Sequence, residues 1–144
     1  MKTLRALLIG PAPETLRELQ SAVAAVDREI AVNLELSSLF DQTRQAVVLE
    51  NAEFTRHGPR LEREVRATYA GLADLYARIP AAEAAMERRG PANSLREEDR
   101  ALVEAWEGDA RALQRMLRAA LADQRRSGLA RAIERLRGRP TSVR

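Results

Sequence analysis

The sequence predicts an all-α fold: an elongated antiparallel bundle or coiled coil of three main helical segments, two of them long. Three observations carry this expectation. The apolar stock is mostly Ala and Leu, aromatics make up 3% and charged residues 31% of the 144 residues, which is the mix of long helices packing in two or three layers. Apolar residues from Leu16 to Ile30 recur at alternating intervals of three and four, as a helical seam requires. No run of alternating Val, Ile and Thr offers a strand. The length fits one domain, residues 1–144.

Residues 1–12 are expected to be flexible. Their unbroken apolar run, Ala6 to Ile9, is shorter than a signal-peptide core, and Pro11 and Pro13 follow. From Pro13 a helix of more than 35 residues is expected, because neither Gly nor Pro intervenes before Gly58. Its stripe is Leu16, Leu19, Val23, Val26, Ile30, Leu34, Phe40 and Val47; Asn33 and Ser37 interrupt the seam.

Asn51 either closes that helix or caps the next. Gly58-Pro59 predicts a break or kink. Beyond it Leu61, Val65, Leu72, Leu75 and Ile79 share a face, with Tyr69 and Tyr76 beside it, and Pro80 kinks or restarts the helix. Residues 88–94 form the clearest loop.

Ser94 and Glu97 have capping-box spacing for a last helix, and Glu98 and Asp99 favour its positive end. One stripe is expected along it: Leu95, Leu102, Trp106, Leu113, Leu117, Leu121, Leu129, Ile133 and Leu136. Gly108 and Gly128 inside it cost about 1 kcal/mol each relative to Ala. Gly138 and Pro140 end it, leaving 139–144 as a disordered tail.

Candidate chemistry is sparse. Without cysteine there are no disulfides, thiolate metal sites or Cys nucleophiles, which fits a reducing cytosol. His57 beside Gly58 reads as a solvated bend residue without a relay partner. Glu97, Glu98 and Asp99 read as a helix start, not a metal site, and Glu62 and Glu64 point to different sides. No Glu-x-x-His pair and no glycine-rich phosphate loop occurs. The expectation is a protein that is not an enzyme, with no cofactor, no metal, no membrane span and a cytoplasmic location.

Charge is polarised. Residues 111–144 carry ten Arg against two acids, a net +8, and residues 1–110 a net −5. Only Lys2 among the 24 basic residues is not Arg, a bias that a GC-rich coding sequence also produces. Nucleic acid would take the arginines, but no aromatics interleave them and the acidic body would repel a long polyanion. A membrane surface would want bulkier residues than Leu129, Ile133 and Leu136 opposite the charge. A partner helix fits better: these three and Ala122 fall on one side of a helical wheel, Arg131 and Arg135 on the other, and Arg126 and Arg137 flank the apolar face. Burial in this protein's own bundle is the competing reading, weaker from Leu129 onward.

The stretch "QTRQAVVLENAEFTRHGPRLEREVRATYAGLADL", residues 42–75, and "DQRRSGLARAIERLRG", residues 123–138, resemble the FlgN-type flagellar export chaperones in pattern. Asn51 stands at the family's bend, and Glu64 near its Glu-Lys pair. The chain departs from the family where Asp123 and Arg126 replace the usual Asn residues, where its Lys is absent beside Arg63 and Val65, and at Gly58-Pro59. The resemblance implies a cytoplasmic chaperone that holds the C-terminal amphipathic helix of hook–filament junction proteins before secretion. Leu117, Leu121, Leu129, Ile133 and Leu136 would then be the apolar contacts, with Arg126 and Arg137 selecting acidic client residues. The alternatives are a structural coiled coil that homodimerises through Leu16 to Phe40, and a nucleic-acid-associated bundle using the arginine-rich last helix.

Overall fold

A computed structural model describes residues 13–88 and 96–138 of the chain. Five α-helices occupy them: α1 (Pro13–Thr43), α2 (Ala52–Glu64), α3 (Arg66–Ala77), α4 (Ile79–Arg88) and α5 (Glu97–Arg137). No strand occurs among the described residues. The fold is all-α, with α1 of 31 and α5 of 41 residues as its two long helices. The expected middle segment is a run of three short helices. Residues 1–12, 89–95 with Ser94 and Leu95, and 139–144 lie outside the described residues. Glu97 is not the third residue of a helix capped by Ser94: α5 begins at Glu97 with Arg96 as its N-cap and no side-chain cap bond.

α1 and α5 run antiparallel, with Ser37 beside Glu107 and Asp27 beside Gln114 and Arg118. α2 to α4 return along the same core. Leu19, Val23, Val26, Ile30 and Phe40 of α1 are all buried. These seam positions are therefore packed within the chain, against its own helices. Leu61, Leu72, Leu75 and Ile79 fill the facing side, and Trp106, Leu113 and Leu117 of α5 close it. Trp106 donates its indole N–H to the Leu75 carbonyl at 3.0 Å. This satisfies a polar atom that burial would otherwise strand.

α1 stops at Thr43, earlier than periodicity predicts. Arg44 adopts φ 59, a left-handed conformation that ends a helix; its guanidinium lies 5.8 Å over the Phe40 ring. The non-helical strap that follows, residues 44–50, is pinned by side chains. The buried Asn33 amide donates to the Glu50 carbonyl at 2.8 Å and accepts the Glu50 amide at 2.7 Å. Glu83 accepts the Leu49 amide at 3.0 Å. The seam-breaking Asn33 and Ser37 are thus buried polar anchors, Ser37 donating to Glu107 at 2.6 Å.

Asn51 occupies the N-cap of α2 without a side-chain cap bond. The cap comes from α1 instead. The buried Glu29 carboxylate accepts the amides of Glu53 at 2.7 Å and Phe54 at 3.1 Å, which neutralises the exposed donors and positive end of α2. α2 then runs through Pro59, and the break expected at Gly58-Pro59 falls at Val65. Pro59 and Thr55 are solvent-exposed, so water can take the Thr55 carbonyl that the proline leaves unpaired. Pro80 restarts a helix as expected, within the first turn of α4. Arg88 at the end of α4 donates to both carboxylate oxygens of the buried Asp99 at the start of α5, at 2.7–3.2 Å. That bond raises the Arg88 guanidinium above its ordinary range. Asp99 therefore joins two helix ends, beyond favouring a helix dipole.

Candidate functional site

α5 has two faces, not the single stripe expected from Leu102 to Leu136. Val103, Trp106, Leu113 and Leu117 point at the body, while Met116, off that track, is exposed. The gap from Leu121 to Leu129 is eight residues, which turns the next apolar side chain about 80° around the helix. The body-facing track passes instead to Gln124 and Gly128, with the exposed Arg131 beyond them. Gln124 donates to the Glu64 carbonyl at 2.9 Å, and Gly128 is buried. Arg131 lines a cleft of about 270 Å³ with Leu16, Leu19, Glu64 and Gln124.

Leu129, Ile133 and Leu136 are 63%, 40% and 64% exposed. They share one side of a regular helix, which presents them together to solvent. Leu117 and Leu121 do not join them. Leu117 is wholly buried in the core cluster and Leu121 packs half-buried against it. Assigning Leu117 as a partner contact is corrected for that reason: its surface is already covered within the core cluster. Arg126 is exposed and paired with Asp123 one turn earlier, and Arg137 is exposed near the end of α5.

His57 lies inside α2, not in a bend, with Nε2 3.2 Å from a Glu53 carboxylate oxygen. The two border a cleft of about 460 Å³ between α1 and α2 with Arg28, Glu29 and Arg56. Of the three acids that line it, Glu29 holds the two α2 amides and Glu53 the imidazole, while Glu50 is exposed and is held through its backbone by Asn33. Among the described residues no group of three or more His, Asp or Glu is placed to hold a metal ion. No described helix is long and apolar enough to cross a membrane.

Arginines occupy the same side of α5 as the exposed leucines, about five turns earlier, an alignment carried by the 18-residue spacing in the sequence. No family model, curated protein or solved structure matches the chain.

Proposed function

We propose that the protein is a non-catalytic capture module whose C-terminal arm binds an amphipathic helix of a client protein. One observation carries the reading: Leu129, Ile133 and Leu136 stand exposed in register on a helix whose other side is anchored to the body. Contiguous exposed apolar side chains rimmed by charge mark interaction sites in soluble proteins. A client helix would bury them by the helix-in-groove mode, with anchors at i, i+4 and i+7.

The family resemblance supplies the finer form of the proposal. The client is the C-terminal helical segment of a hook–filament junction protein, held in the cytoplasm until secretion. Leu121 at the upper edge and Arg126 and Arg137 at the rim complete the contact. Capture of this kind needs burial and release, with no covalent step.

Calorimetric titration of the full chain with a peptide of that client segment tests the reading. Binding with a negative heat-capacity change, lost in the Leu129→Asp/Ile133→Asp variant, is the expected result. Equal binding by the variant would overturn it.

A further inference from the structure

The side of α5 that carries the exposed leucines does not begin with them. Leu129, Ile133 and Leu136 follow Arg111, Arg115 and Arg118 by 18 residues each, which is about five full turns at 3.6 residues per turn. The two triplets therefore lie on one line along the helix, arginines toward its middle and leucines toward its end. Half-buried Ala122 lies between them on the same line, with Arg126 beside it. All three arginines are exposed. Arg118 leans to Asp27 of α1 at 3.1 Å, Arg111 stands 3.8 Å from Glu107, and Arg115 forms no ion pair among the described residues.

From this alignment we infer that the docking surface runs along α5 from Arg111 to Leu136 and takes a client helix of two-part chemistry: an apolar triplet at one end and a cluster of carboxylates about five turns away. The inference rests on the client-helix reading above and extends it to a substrate class. Charge selects the occupant. Residues 1–12 contain Lys2 and Arg5 and no acid, and a second copy would present the same arginines. Residues 1–12, and a second copy docking through this same face, are like-charged with it, and like-charge juxtaposition opposes docking. An acidic helix instead gains attraction along the arginine half and burial along the leucine half. The two halves divide the work: arginines speed encounter and select the partner, while leucines set how long it stays.

The probe is a synthetic amphipathic helix with Leu at i, i+4 and i+7 and three glutamates about five turns away, made in both chain orders, with a glutamine version of each. Fluorescence anisotropy against the full chain should show one glutamate peptide binding. The Arg111→Glu/Arg115→Glu variant should weaken it by roughly tenfold or more, as should the glutamine exchange. Circular dichroism should show this variant as helical as the parent, because both positions face solvent. Failure of both glutamate peptides to bind, or equal binding of glutamate and glutamine peptides, overturns the two-part face. So does an unchanged affinity in the arginine variant. In those last two cases, loss of binding in Leu129→Asp/Ile133→Asp leaves the client-helix reading standing, and retention there sinks that reading as well. Preference for phosphatidylserine vesicles over the peptides, or self-association removed by Leu129→Asp/Ile133→Asp, would assign the face to a membrane or a second copy and overturn the inference.

Discussion

The Glu29 carboxylate and the Tyr76 hydroxyl, 47 residues apart in the chain, meet at 2.8 Å in the interior. The same carboxylate receives the first amides of α2. One buried acid thus ties α1 to the start of α2 and to α3. Phe54 stacks on the Tyr76 ring at 4.2 Å and shields the cluster. Glu29→Ala would strand two amides and a hydroxyl, and each stranded buried donor costs about 1–3 kcal/mol. A loss of about 3 kcal/mol or more is expected in urea unfolding followed by circular dichroism. A change under about 0.5 kcal/mol, the size of an ordinary surface substitution, would mean that water replaces the carboxylate freely.

Tyr76 also sets an alkaline limit. Burial first, and then the hydrogen bond and charge of Glu29, hold its phenol well above its usual value near 10.0. The unfolded chain releases that proton near its ordinary value, so the native state binds it more tightly at high pH. This contribution to stability is whole below about pH 10 and is lost as pH rises beyond it. Urea midpoints across that range should fall in the parent and fall less steeply in Tyr76→Phe. Parallel slopes would remove Tyr76 as the cause.

Glycines in α5 separate two effects. A Cβ at Gly108 or Gly128 would meet nothing within 4 Å. Each Gly→Ala change there should raise stability by about 0.5–1 kcal/mol through backbone entropy. Gly71 differs, since its Cβ would come 2.7 Å from the Leu113 Cδ2 atom. Leu113 is buried beside Trp106 in the core cluster and must shift to admit it. Gly71→Ala should therefore destabilise, and a rise in melting temperature would show that Leu113 has an unused rotamer.

Local pattern made much of this fold legible, and long-range polar contacts hid the rest. The intervals from Leu16 to Ile30 mark a buried helix face because side chains three and four apart lie on one side. Pro80 announces a restart through its missing amide. The end of α1 has no comparable local mark: it depends on Arg44 at positive φ and on Asn33 clasping Glu50 across 17 residues. Glu29 reads as an ordinary polar position until α2 is folded against it. On α5 the eight-residue step after Leu121 did carry the turn in the apolar face, and the matching arginine triplet could be read by offset alone.

Trp106 tests where the core stops. It is 2% exposed, and its N–H bonds the Leu75 carbonyl at the α3–α4 break. Trp106→Ala should cost about 3–5 kcal/mol, read as a drop in the denaturant midpoint at unchanged slope. A near-neutral result would mean that α5 packs on the middle helices without it.

The boundary between core and docking strip runs between Leu117 and Leu129, and two matched substitutions locate it. Leu117→Asp would place a carboxylate at a site with no exposed surface and no partner; an unpaired buried charge is among the few changes that unfold a marginal domain. Leu129→Asp lies on a side chain that is 63% exposed, where surface substitutions stay within about 0.5 kcal/mol. Thermal unfolding should therefore collapse for the first and barely move for the second, although both exchange the same residues on the same helix. A large loss from Leu129→Asp would mean that the chain itself covers the strip. The leucine would then belong to the core, and no client would be needed to explain it.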